Sequence, residues 1–141
     1  MNAGKAFLDT NVLLYTRSAA DPGKQARALQ LFHDCAASGS ILLSTQVVQE
    51  FFAAGIRKLT LSRRELGQAT AALLELPMVL IGPPHISKAM EYEERYQVSF
   101  WDALILAAAE SGGAEVLYTE ELNHGQQYGT VLVRNPFVTT G

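Results

Sequence analysis

Short, mostly apolar runs punctuate this chain at Lys5–Leu8, Ser40–Leu43, Met78–Ile81, Glu115–Tyr118 and Thr130–Val133. Each has the length of a strand and is too short to stand alone as a helix. Helical patterning fills the gaps between the first four. Brief apolar strands that alternate with helices fold as a parallel sheet whose two faces are both covered. The expected fold class is therefore α/β, with a central parallel sheet, and 141 residues suit a single domain spanning 1–141.

The helical segments carry their own punctuation. Asn11 to Arg17 reads as a short helical turn. Asp21-Pro22 opens a helix, since proline is favoured in a first turn, and Ala28, Leu29, Leu31, Phe32 and Cys35 follow helical spacing up to Gly39. Ser44 or Thr45 caps a helix that runs to about Lys58. Ser62 has Glu65 three residues on, the capping-box spacing, and Pro77 stops that helix. Pro83-Pro84 marks a turn, a helix from about His85 to Gln97 follows, and SFWDALILAAAESGG supplies the last.

Composition matters here for what it excludes. Cys35 is the only cysteine, so there is neither a disulfide framework nor a thiolate metal cluster, which suits a reducing cytosol. No apolar run approaches the ~18 residues of a membrane span, and the first residues lack a basic-then-apolar signal pattern. No membrane association and a cytoplasmic location are expected. The net charge is −3. Bulk electrostatics therefore cannot recruit nucleic acid, and any such binding must use local basic groups or metal ions.

In parallel sheets, ligands bind at the carboxyl ends of strands. Asp9 ends the first strand, and Glu120 and Glu121 follow the strand that ends at Tyr118. Glu50 lies one turn into the helix after the second strand, and Asp102 in the first turn of the quoted helix. Each alone has an ordinary reading: a cap for Asp9, a solvated face for Glu50, a capping box with Ser99 for Asp102, a polar turn for the glutamate pair. Together they place several like charges in one region, where some would take up protons unless a cation intervened. An all-oxygen donor set suits Mg²⁺ or Mn²⁺ rather than Zn²⁺. The residues alone thus point to a metal-dependent enzyme acting on phosphoryl bonds, without specifying a nuclease.

Four segments together are more specific. FLDTNVLLY (Phe7–Tyr15), STQVVQEFF (Ser44–Phe52), SFWDALILAAA (Ser99–Ala109) and LYTEELNHGQ (Leu117–Gln126) occur in an order that resembles the PIN-domain family, and within it the VapC-like toxins of bacterial toxin–antitoxin modules. The resemblance implies a three-layer α/β/α sandwich and a Mg²⁺- or Mn²⁺-dependent endoribonuclease. It assigns catalytic and metal-holding roles to Asp9, Glu50, Asp102 and Glu121. The family's fourth acid is usually an aspartate in a Thr-x-Asp setting. Here Glu121 follows Thr119 and Glu120, and Glu120 is an alternative fourth ligand. Asn11 and Thr119 match supporting polar positions. The implied reaction is in-line attack of water on RNA, which leaves 5′-phosphate and 3′-hydroxyl ends and no 2′,3′-cyclic phosphate. The implied partners are an RNA substrate, a second copy in a homodimer, and a cognate antitoxin whose tail covers the acidic groove.

Arg57, Lys58, Arg63 and Arg64 cluster near one helix–helix junction and could contact RNA phosphates; an exposed helix hairpin is an equal reading. Phe51, Phe52, Ile56 and Leu59 are candidate partner contacts. Trp101 is expected as a core or interface anchor rather than a base-stacking platform, Cys35 as core, and His124 as a turn residue. Two other functions fit parts of the pattern. One is a phosphatase that forms a phosphoaspartate on Asp9, although Asn11 replaces its usual second acid. The other is a non-catalytic module that binds RNA or protein.

Overall fold

The computed structural model describes residues 4–138. Six strands form one sheet in the order β3-β2-β1-β4-β6-β5. The strands are β1 (Lys5–Leu8), β2 (Ile41–Ser44), β3 (Met78–Val79), β4 (Ala114–Tyr118), β5 (Gln127–Tyr128) and β6 (Val131–Arg134). All pairings are parallel except that of β5 with β6. The helices are α1 (Thr10–Tyr15), α2 (Pro22–Ala37), α3 (Thr45–Lys58), α4 (Arg63–Leu73), α5 (Pro83–Tyr96) and α6 (Phe100–Ser111). The chain steps outward from β1 to β2 to β3, then returns past β1 to β4. With right-handed crossovers, that reversal puts α1 to α4 on one face of the sheet and α5 and α6 on the other.

Local chemistry explains the helix starts. Asp21 accepts from the Lys24 N–H at 3.1 Å, with Pro22 in the first turn. Ser44 accepts from the Val47 N–H. Ser62 and Glu65 form a complete capping box. Ser99 accepts from the Asp102 N–H at 3.1 Å, so only the serine half of its box forms.

Phe7, Leu8, Leu43 and Leu117 fill the two faces of the sheet with essentially no exposure. Each such side chain contributes about 1.5–3 kcal/mol by leaving water. Helix α6 is buried from Ala103 to Ala109 and packs across β2, β3, β4 and β6. Its small residues allow close approach. Gly112 continues this at the helix end, where a Cβ would lie 2.6 Å from Leu42 and 2.8 Å from Val79.

The structure departs from the sequence reading in four places. The third strand is shorter than Met78–Ile81: after Val79 the chain leaves the ladder, Ile81 N–H donates to Thr45 Oγ1 at 3.1 Å, and Leu80 is exposed. A sixth strand, β5, was not expected. It is two residues long and turns back through Gly129, whose φ of +57° suits glycine. Phe51 and Leu59 are buried in the core and are not available as partner contacts, whereas Ile56 is exposed and Phe52 half-buried. Trp101 is not a core residue, since 62% of it is exposed. Cys35 is buried, as expected. Among the described residues, no helix is long and apolar enough to cross a membrane.

Candidate active site

The strand order reverses at β1, which has β2 on one side and β4 on the other. The carboxyl ends of β1 and β4 therefore splay apart, and a crevice opens there. Register fixes what enters it. Leu8 pairs with Tyr118, and the Asp9 N–H donates to the Tyr118 carbonyl at 3.0 Å. The residues just beyond, Asp9 and Thr119, consequently meet: Thr119 Oγ1 donates to Asp9 Oδ2 at 2.7 Å.

Asp9 is buried and densely bonded. Its other oxygen accepts from the Thr10 N–H at 2.7 Å, and Asn11 Nδ2 lies 3.3 Å from Oδ2. Asn11 also reaches Thr119 Oγ1 at 3.3 Å, and its own oxygen accepts from the Glu120 N–H at 3.4 Å. Asn11 and Thr119 thus stitch the loop after β4 to the start of α1 and fix the direction of the Asp9 carboxylate.

Asp9, Glu50, Asp102 and Glu121 all line one cleft of about 330 Å³. Asp9 stands at its floor. Glu50 arrives from α3, where its Oε1 accepts from Thr10 Oγ1 at 3.0 Å. Asp102 enters from the first turn of α6. Exposed Glu121 closes the remaining side. Glu120 goes elsewhere: it is paired with Lys24 at 2.9 Å and accepts from the Tyr15 hydroxyl at 2.8 Å. Among the described residues, no ion pair neutralises any of the four cleft carboxylates.

Burial, more than crowding, perturbs these acids. Burial pushes the Asp9 carboxyl up to about 6; the bonds from Thr119 and Thr10 work against the rise, and the charges of Asp102 and Glu50 add to it. Burial also raises Asp102 above its ordinary value, with Ser99 opposing in part.

Residues 6–125 match the PIN domain family. The chain belongs to that family. Solved structures show the same PIN fold. The Mycobacterium tuberculosis toxin VapC20, which cleaves the sarcin–ricin loop, matches with a TM-score of 0.66 and 21% identity over 81% of this chain and 88% of its own. A toxin–antitoxin complex from Klebsiella pneumoniae matches at 0.71 and 20% identity, covering 94% and 98%. VapBC2 from Rickettsia felis, bound to a DNA fragment of its promoter, matches at 0.64 and 15% identity, covering 92% and 97%. No curated protein matches the chain in sequence.

PIN nucleases generally use a divalent metal ion, and the donor chemistry of this cleft fits one. Among the described residues, no three His, Cys, Asp or Glu side chains stand close enough to hold an ion unaided. That spacing suits Mg²⁺, which commonly takes one or two carboxylates and keeps several waters. Gln46 supplies an independent sign. It is 94% buried (6% exposed) in the cleft wall one turn before Glu50, its Nε2 donates to the Trp101 carbonyl at 3.2 Å, and its Oε1 has no partner. A buried orphan acceptor commonly marks a site for ordered water, and a hydrated cation brings such water.

The basic residues divide. Arg57 and Lys58, in the last turn of α3, line the PIN cleft. Arg63 and Arg64 are exposed at the start of α4 and do not line it. His124 accepts from the Asn135 N–H at 2.9 Å, the turn role expected of it. Sequence reasoning missed Thr10 and Gln46. The faint signal for Gln46 was its place on the same helical face as Glu50 and Arg57; Thr10 gave none.

Proposed function

We propose that this PIN-domain protein is a divalent-metal-dependent endoribonuclease, the toxin of a toxin–antitoxin pair. The observation that carries the reading is the cleft itself: four carboxylates from four segments line it, and among the described residues none of them is in an ion pair, although Arg57 and Lys58 line the same cleft. Among Asp9, Glu50, Asp102 and Glu121, one or two would hold Mg²⁺ or Mn²⁺ directly and the others through its waters, with Asn11 and Thr119 as orienting groups. When bound, such an ion lowers the pKa of water and screens phosphate charge.

The chain's own residues do the rest. Thr119, Thr10 and Asn11 hold the Asp9 carboxylate in one orientation. Thr10 fixes Glu50, and the Ser99 cap fixes the backbone that presents Asp102. Arg57 and Lys58 at the cleft's edge offer cations to flanking phosphates. Glu121 serves as the fourth acid, because Glu120 is committed to Lys24 and Tyr15. Water attacks phosphorus in line and the 3′-oxygen departs, leaving 5′-phosphate and 3′-hydroxyl ends. The toxin–antitoxin complexes that share the fold support an antitoxin partner for this chain, whose basic tail would compete with metal for the acids. A homodimer in the cytoplasm completes the proposal.

The test is cleavage of end-labelled total RNA by antitoxin-free protein in Mg²⁺, Mn²⁺ and chelator, beside Asp102→Asn. Metal-dependent cutting that the folded variant lacks is the expected result. A 2′,3′-cyclic phosphate at the new ends, or unimpaired cutting by Asp102→Asn, would refute the mechanism.

A further inference from the structure

We infer that Trp101 is a stacking platform for an unpaired base beside the scissile phosphate. The inference rests on the ribonuclease reading for the identity of the strand, and on three observations of its own.

The first is position. Among the described residues, the exposed large apolar side chains are Leu29, Ile56, Leu74, Leu80, Ile86, Met90, Trp101 and Val138. Of these, only Trp101 lines the carboxylate cleft. It directly precedes Asp102, so an aromatic face and a phosphate-directed carboxylate occur on consecutive residues. Leaving that much indole in water has no value for folding, because burying it would stabilise the chain.

The second is bracing. A platform must hold its orientation without its ligand. Phe100 packs edge-on against the Trp101 ring, with centroids 5.2 Å apart and an interplanar angle of 79°. Beneath it, the buried Gln46 amide grips the Trp101 carbonyl and ties the start of α6 to α3. Both ring and backbone are restrained while the indole surface stays open.

The third is charge. A phosphodiester approaching four carboxylates in a protein of net charge −3 meets repulsion that a bound divalent ion, Arg57 and Lys58 offset only locally. Base stacking is an attraction that does not depend on charge and accepts any base. Bases in duplex RNA are already stacked on each other and cannot use it; unpaired bases in loops can.

Trp101 is the sole tryptophan, so intrinsic fluorescence reports it alone. A short single-stranded RNA of mixed sequence should quench it, and the same sequence as a duplex should not. Trp101→Ala should raise KM for the single strand about tenfold with kcat little changed, and Trp101→Phe should recover most of the loss. An unchanged KM in folded Trp101→Ala would overturn the platform while leaving metal-dependent cutting, and so the ribonuclease reading, intact. If that variant instead turned a dimer into a monomer at constant KM, the ring would belong to a contact between copies and the inference would again fail. Quenching of the wild type by the single strand, together with single-strand affinity by gel shift of labelled RNA that falls in Trp101→Ala and largely returns in Trp101→Phe, would uphold the platform even if the wild-type protein cut no RNA, in which case the nuclease reading alone would fall.

Discussion

Asp102 and Glu110 stand on the same helix, α6, just over two turns apart, and both are half-buried. The helix dipole favours a carboxylate at the N-terminal end and disfavours one at the C-terminal end, which would make Asp102 the more acidic. The reverse holds. Burial raises Asp102, and Ser99 offsets only part of the rise. Burial acts on Glu110 in the same direction, yet bonds from the Tyr92 hydroxyl and from the N–H and hydroxyl of Thr130 outweigh it and hold Glu110 below its ordinary value. The partner set decides, not the position. Glu110's oxygens are satisfied by the fold, and it ties α5 and the β5–β6 turn together. Asp102 lines the cleft, and Ser99 alone offsets the burial of its carboxylate.

That contrast predicts opposite phenotypes. Asp102→Asn should lower kcat by about a thousandfold if the carboxylate holds a metal that contributes several kcal/mol to the transition state. Its melting temperature should stay within a few degrees of wild type, because the Ser99 cap uses the Asp102 backbone N–H and survives the change. Loss of fold and activity in parallel would erase the distinction between the two acids.

Asp9 sharpens the comparison from the side of stability. Its carboxyl titrates near 6 when folded, against 3.8 as the ordinary value. In metal-free protein the native state therefore binds a proton before the unfolded state does. Relative to Asp9→Asn, the wild type gains stability as pH falls. The gain is fully present below pH 3.8 and lost as pH rises through about 6, with a limit on the order of 3 kcal/mol. Urea unfolding of the two proteins at several pH values measures it. Saturating Mn²⁺ at neutral pH should restore the wild type selectively. A wild type that instead lost stability relative to Asp9→Asn toward acid would mean that the Asp9 charge is already compensated within the fold.

Glu110→Ala should cost about 2 kcal/mol, because it strands the hydroxyl of buried Tyr92 and removes the bonds that tie Thr130 to α6. Cleavage per folded molecule should be unchanged. A lower midpoint in urea with intact kcat and KM is the outcome that separates structural from functional carboxylates on this helix.

Contrast of this kind was only half visible in the sequence. The strands and helices were legible because apolar runs, prolines and capping residues act over a few positions: Ser62 with Glu65, and Pro22 after Asp21, form the local bonds their spacing implies. Strand ends in a parallel sheet pointed to the segments of Asp9, Glu50 and the Glu120-Glu121 pair, and the family resemblance added Asp102 and singled out Glu121; all four line one cleft. What was hidden depends on which distant segment lies opposite. Thr10 reaches Glu50 across 40 positions, Gln46 reaches Trp101 across 55, and Lys24 reaches Glu120 across 96. No periodicity encodes such pairs. Trp101 and Phe51 show the same limit in reverse: an apolar residue on a helix has many faces to choose from, and only packing says that one points to solvent and the other to the core.

Gln46 offers the finest test, since its amide lies between the α3 turn that carries Glu50 and the α6 turn that carries Asp102. If its bond to the Trp101 carbonyl sets the separation of those two acids, Gln46→Met should weaken Mn²⁺ binding about tenfold, the size of effect expected when a group that orients metal ligands is removed. Folding should barely change, because the substitution removes an unsatisfied buried acceptor along with one hydrogen bond. Calorimetric titration with Mn²⁺ reads the first quantity and urea unfolding the second. Equal Mn²⁺ affinity in the variant would assign Gln46 to packing alone. A weaker ion with an unaltered fold would place it with Asp102, among groups whose bonding the fold leaves incomplete for a ligand, and apart from Glu110.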